Sequence, residues 1–177
     1  MVESNLLSGF AIVADMSSET LAEMAAKAAI KSFEAGDVLF QEGEPATELF
    51  GLLEGEVTLS LLFEDRVLKA EVRHEQYVHK RVEVVEKEMV FETIAPGEVF
   101  AWSSLIAPHQ LTSTARCTRP ARVVALPADA LEDIFERHPK AGGLFMKRLA
   151  EVIAQRLRQR TDKLIESWYQ AFGEERL

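Results

Sequence analysis

The chain has 177 residues, 47% of them hydrophobic and 28% charged, which is ordinary for a globular protein with one sizeable core. Its formal net charge of −9 is opposite in sign to the basic footprint of a nucleic-acid binder. The single cysteine, Cys117, excludes an intramolecular disulfide and any cysteine-ligated zinc or iron–sulfur centre within one chain.

The opening stretch MVESNLLSGFAIVAD has an early Glu and no basic region, so it does not read as a signal peptide. No uncharged apolar run approaches the ~20 residues of a bilayer span, and the chain reads as cytoplasmic. Ser17-Ser18-Glu19-Thr20 predicts a helix start: a serine can cap the free N–H groups, and Glu19 favours the positive end. Leu21, Met24, Ala25 and Ala28 then recur at helical spacing. Phe33 to Asp37 reads as a turn into a strand at Val38 to Phe40, and Gln41 to Pro45 as a second turn into a strand at Glu48 to Leu53. Glu54-Gly55 is expected to make a tight hairpin.

Val57, Leu59, Leu61 and Phe63 alternate with Thr58 and Ser60, the period of a half-buried strand. From Glu64 to Glu88 alternation continues, which predicts a long hairpin with its tip near His74 to Gln76, charged and solvated along its length. A strand ends at Ile94, and Pro96-Gly97 is a turn. Val99-Phe100-Ala101 is a short buried segment, followed by a brief helical turn and a loop returning to a strand that holds Cys117 as a small core residue. Arg122 to Leu126 is the closing strand. Pro127-Ala128-Asp129 starts a helix with Leu131, Ile134 and Phe135 on one face, broken by His138-Pro139. From Ala141 a long helix follows. Ala150, Leu157, Leu164 and Ala171 share one heptad position and Met146 and Ile153 the other, interrupted by Arg160 and Ser167, which points to a coiled-coil partner. Leu149 and Val152 face the domain. The basic stretch Lys147 to Lys163 reads as a solvated helix face.

These elements resemble the cyclic-nucleotide-binding superfamily, the sensor module of catabolite-activator and fumarate/nitrate regulators. Phe33, Gly36, Leu39, Gly43, Phe50, Leu53 and Gly55 occupy its ordered N-terminal pattern. Its phosphate-binding cassette runs P-G-D/E-x-F-G-E-L-A/S-L, then R-S/T-A. Pro96, Gly97, Glu98, Phe100, Ser104, Leu105, Thr114 and Ala115 fit it. Two positions depart. The Glu that takes the ribose hydroxyl falls on Trp102, and the Arg that pairs with the cyclic phosphate falls on Ser113. A serine hydroxyl cannot replace a bidentate guanidinium. Trp102 either stacks on a planar ligand or fills the pocket with its own ring.

The resemblance implies a mainly β fold: a double-stranded β-helix (jelly roll) with flanking helices over residues 17–140, and a long C-terminal helix over 141–172. It implies a homodimer through Met146, Ala150, Ile153, Leu157 and Leu164. The expected function is a non-catalytic regulatory module with a degenerate cassette, acting through another ligand or a protein partner. Its candidate pocket is Phe100, Ala101, Trp102, Ser103, Ser104, Ser113 and Thr114. One alternative is a genuine cyclic-nucleotide binder that uses Arg116 or Arg119 for the phosphate; strand alternation puts Arg116 on the opposite face from Ser113. Another is a structural interaction domain plugged by Trp102.

Other chemistries find no constellation. His74 and His79 lie five apart on a predicted hairpin, and His109 and His138 stand alone, so no metal ligand set is expected. G-x-S-x-G, the Walker-type G-x-x-x-x-G-K-[ST] and G-x-G-x-x-G are absent, so no enzyme and no bound cofactor are expected. Where the resembled regulators carry a DNA-reading helix-turn-helix, only Glu166 to Leu177 remains here, too short for that motif, so no direct DNA binding is expected.

Overall fold

The computed structural model describes residues 2–74 and 77–172, with side chains except at 65–74, 77–83 and 171–172. A short helix, α1 (Ser4–Leu7), and a 3-10 turn at Ala11–Val13 come first. They show no periodicity in sequence, yet Leu7, Phe10, Ile12 and Val13 are buried in the core. Arg148 holds them in place: it donates to the carbonyls of Ala11 and Ala14 and to the Asp15 carboxylate. Ser17 then caps α2 (Ser18–Lys27), its Oγ accepting from the Thr20 N–H at 3.2 Å. Met24 and Ala25 turn inward, as their spacing requires.

The strands are β1 (Ala29–Phe33), β2 (Val38–Phe40), β3 (Glu48–His74), β4 (Tyr77–Ile94), β5 (Val99–Phe100) and β6 (Thr114–Pro127). They pair antiparallel in the order β1-β6-β3-β4, with β2 added to β6 and β5 to β3. The fold is the expected jelly-roll class, mainly antiparallel sheet with flanking helices and a long C-terminal helix. The sheet stays open rather than closing into a full barrel.

One local expectation is overturned. The chain does not turn back at Glu54-Gly55: β3 runs through, and its register against β6 slips on both sides of Glu54. Gly55 has φ +91°, and a Cβ there would lie 2.2 Å from the Pro120 carbonyl oxygen. The glycine serves a bulge, which also needs positive φ and close backbone approach. The long hairpin is present in backbone register, from Val57 opposite Ile94 to His74 opposite Tyr77. Glu75 and Gln76, at the expected tip, lie outside the described residues. Of the side chains described between Glu64 and Glu88, Glu64 and residues 84–88 are all exposed, Val84 and Val85 among them.

Two apolar clusters flank the sheet. One lies under the helices, with Leu7, Phe10, Met24, Leu131, Ile134, Phe145 and Leu149. The other is formed mainly by the strands themselves, where Phe40, Phe50 and Phe100 lie with ring centres 5.5–6.1 Å apart. Cys117 belongs to this second cluster. Its N–H donates to the Asp37 carbonyl at 2.9 Å, and burial followed by the Asp37 charge pushes its thiol pKa up.

Helix α3 (Ala128–Arg137) buries Leu131 and Ile134. His138 ends it, donating its N–H to the Ile134 carbonyl, and its Nε2 meets Glu23 Oε1 at 2.9 Å. Arg137 binds the other Glu23 oxygen at 2.5 Å. Helix α4 (Pro139–Phe172) begins just before Ala141. Among the described residues no helix is long and apolar enough to cross a membrane.

Candidate functional site

The cassette is built by short-range backbone chemistry. Gly97, at φ +88°, donates its N–H to the Leu52 carbonyl at 2.8 Å, and the Leu52 N–H returns to the Glu98 carbonyl at 2.9 Å. Glu98 also accepts the Ala95 N–H at 2.7 Å, which closes the turn. These bonds set Val99 and Phe100 as β5 against Gly51 and Phe50. Ala101 then takes a left-handed conformation at φ 61°, and Trp102–Leu105 makes the 3-10 turn.

The returning loop is tied to the turn at Gly43–Ala46. His109 supplies its carbonyl to the Ala46 N–H at 2.8 Å, and Gln110 Nε2 donates to the Gly43 carbonyl at 3.0 Å. Both residues therefore shape the loop. Thr114 does likewise, its hydroxyl accepting the Glu42 N–H at 3.1 Å. Phe100 is fully buried in the aromatic stack and Ser104 is buried with its hydroxyl unpartnered among the described residues.

Ala101, Trp102, Ser103 and Ser113 come together on one wall of a cavity of about 210 Å³. Phe40, Leu59 and Leu111 form its floor, and α4 closes it with Ile153, Arg156, Leu157 and Arg160. Of the seven predicted pocket residues, Phe100, Ser104 and Thr114 support this wall without lining it. Trp102 is half-buried: it lines the space and leaves it open. Arg116 is turned away, donating to the Gly36 carbonyl at 3.0 Å, and Arg119 does not reach the cavity either.

The cavity's charge comes from a residue that the sequence did not single out. Arg156 is only 5% exposed. Its Nε binds Glu92 Oε1 at 2.9 Å, its Nη2 donates to the Val99 carbonyl at 2.8 Å, and its guanidinium lies 4.8 Å from the centre of the Trp102 ring. Nη1 has no partner among the described residues. Burial pulls its pKa below the ordinary value, Glu92 and Glu98 oppose that, and a guanidinium remains a cation. Arg160 binds the second Glu92 oxygen at 2.5 Å and stacks on Phe91 at 4.4 Å. Arg160, which interrupts the heptad seam, is thus held by an acid of its own chain. The signal for Arg156 was periodicity: it lies four residues after Val152 and seven after Leu149, on the face already assigned to the domain.

On the outer face of α4, Met146, Ala150, Leu157 and Leu164 are exposed, with Leu157 at 65% and Leu164 at 69%. Ile153 is instead half-buried against its own core. No group of three or more His, Cys, Asp or Glu that could hold a metal occurs among the described residues.

Among proteins of curated function, none matches this chain. Its fold is similar to that of a protein of Geobacter metallireducens described as cyclic nucleotide-binding, with 29% identity, TM-score 0.67 and coverage of 89% of this chain and 99% of that one. It is also similar to a cyclic nucleotide-binding domain from Methylobacillus flagellatus, with 18% identity, TM-score 0.68 and coverage of 92% and 80%. A third is the N-terminal domain of a transcriptional regulator from Streptomyces coelicolor, with 21% identity, TM-score 0.58 and coverage of 92% and 95%. At these identities the last two speak for the fold alone. The family model for the cyclic nucleotide-binding domain matches residues 30–138, more than half of the sequence, and the chain belongs to that family.

Proposed function

We propose that the chain is a non-catalytic regulatory module of this family, acting in the cytoplasm, whose cassette keeps its backbone frame and has lost both nucleotide anchors. The observation that carries this is Ser113 at the cavity wall: a buried neutral hydroxyl stands where the family's motif has an arginine. Neither Arg116 nor Arg119 replaces it. Removing one partner of a buried charged hydrogen bond costs about 2–5 kcal/mol, enough to carry a micromolar ligand into the millimolar range. A volume of about 210 Å³ is also below the ~300–1,000 Å³ usual for ligand pockets of drug size.

The output follows from α4. This helix closes the cavity with Ile153, Arg156, Leu157 and Arg160, and Leu157, at the cavity's rim, is exposed at a heptad spacing from the exposed Leu164. A second copy of the chain, packed on that outer face, would sense any shift of the helix against the cassette, a change of population between two packings. Residues 17–140 form the sensing unit in this scheme, residues 141–172 transmit, and a further protein receives the signal without direct DNA contact.

Calorimetric titration with cyclic AMP and cyclic GMP is the test. The expected result is no saturation in the micromolar range. A dissociation constant below ~10 μM for either nucleotide overturns the proposal and restores a true cyclic-nucleotide binder.

A further inference from the structure

The exposed apolar surface of α4 is wider than one partner helix covers. Three residues that share a heptad position, Ile153, Arg160 and Ser167, face their own chain: Ile153 packs on the core, Arg160 binds Glu92, and Ser167 lines a groove beside β4. The seam that remains runs through Leu157, Thr161, Leu164 and Trp168, all exposed and spaced four, three and four residues apart. Thr161 donates its hydroxyl to the Leu157 carbonyl at 2.9 Å, which leaves its methyl to pack. Ile165 and Tyr169 are exposed as well. Each follows a seam residue by one position, ~100° further round the helix, outside the narrow stripe of a two-helix contact.

A second apolar surface lies on the long hairpin. Leu61 and Met89 pair across β3 and β4, and Phe63 stands on the same face two residues on. Leu61 and Met89 form one wall of the groove, of about 570 Å³, and Leu164 and Ser167 stand on the other. Phe63 and Met89 are exposed. Within one chain the two surfaces do not cover each other, because Ile165 and Tyr169 take no part in lining the groove. Contiguous exposed apolar surface of this kind marks an interface, whereas single exposed residues do not.

We propose that a second copy of the chain covers both surfaces: the two α4 helices pair along the seam, and the hairpin of each copy lies across Ile165 and Tyr169 of the other. A two-fold axis along the helices makes the exchange reciprocal, each chain giving one hairpin and receiving one. A stable interface takes roughly 20–30 residues from each side, far more than the seam alone supplies. The inference rests on the reading of α4 as the helix that meets a second copy, and it gives the long hairpin a role as an arm of the dimer.

The test is sedimentation equilibrium of the full chain and of Phe63→Glu, Met89→Glu and Tyr169→Glu. All three positions are exposed in the single chain, so the fold should be kept, which circular dichroism checks. Each substitution enters the dimer twice, and each should raise the dissociation constant at least ~10-fold. A second measurement leaves the apolar contacts largely in place. Chains with Met89→Cys, equilibrated with chains carrying Ile165→Cys and then oxidised, should give a mixed disulfide in preference to either symmetric one, with Cys117 buried and silent. If the parent is a dimer and Leu157→Glu a monomer, but the hairpin variants dissociate like the parent or no mixed disulfide forms, the arm is overturned and helix pairing stands. A parent that is monomeric at micromolar concentration overturns both.

Discussion

The guanidinium of Arg156 lies 4.8 Å from the centre of the Trp102 ring, so the long helix and the cassette meet through a cation on an indole face. Glu92, on β4, fixes that cation at 2.9 Å and Arg160 at 2.5 Å. Two arginines of one helix thereby converge on one carboxylate of β4.

That sharing predicts unequal losses. Glu92→Gln leaves two guanidiniums without an acid and should destabilise the fold by about 3 kcal/mol. Arg156→Met keeps Glu92 paired with Arg160, removes an unmet donor and retains apolar volume, so about 1 kcal/mol is expected. Urea midpoints at constant slope measure both. Equal losses would show that the carboxylate is not shared in solution.

The exposed apolar face of α4 predicts association. Burying Leu157 and Leu164 against a second copy is worth about 1.5–3 kcal/mol per side chain. Leu157→Glu, and Leu164→Glu away from the cavity, would each set like charges together near a two-fold axis. Light scattering should give a dimer for the parent and monomers for the variants. Leu149→Ala, in the core, should instead cost about 2–5 kcal/mol without changing mass beforehand. A monomeric parent at micromolar concentration, or dimers in both Glu variants, rules out this helix as the interface.

Two glycines with similar backbone angles should respond differently to alanine. Gly55 and Gly36 have φ +91° and +95°, but a Cβ at Gly55 meets the Pro120 backbone while Gly36 faces open space. Gly36→Ala should cost about 1 kcal/mol, the strain of left-handed backbone alone. Gly55→Ala should cost about 2–4 kcal/mol, because β6 must move as well. Thermal or urea unfolding of the pair would show whether the bulge is as tight as described.

Acid should act partly through Glu23. The His138 hydrogen bond, with help from Arg137 and against a desolvation effect, holds its carboxyl below the ordinary value. The folded pKa is the lower one, so the stability it contributes is present above ~4.3 and is lost as pH falls through the folded value. Glu23→Gln should flatten the acid side of the stability–pH profile below ~4.3. Parallel profiles for parent and variant would show that the contact does not outlast solvent competition at this partly exposed site.

Local chemistry carried most of the fold in the sequence. Ser17 caps because its hydroxyl answers donors three residues away, and Pro96-Gly97 turns because Gly97 accepts positive φ; neither needs distant information. Gly55 misled because a hairpin and a bulge ask the same of a glycine, and only the closeness of Pro120 separates them. Leu7 and Phe10 lie in segments too short to show a period, and the cluster that buries them holds Leu131, Phe145 and Leu149 from far along the chain. The cassette wall was legible in Trp102, Ser103 and Ser113. The charge facing it was not, since a basic run looks solvated until Glu92 is brought alongside by the long hairpin.

Cys117 offers a different use. It is the chain's one thiol, buried on β6 opposite Val57 of β3 and shifted away from the reactive thiolate by its surroundings. An alkylating reagent can reach it only when those strands part, so the labelling rate times the opening of the sheet. A cysteine introduced on the outer face of α4 would react first and alone. The molecule is thus already suited to carry a single spectroscopic probe on its long helix, with Cys117 left in place.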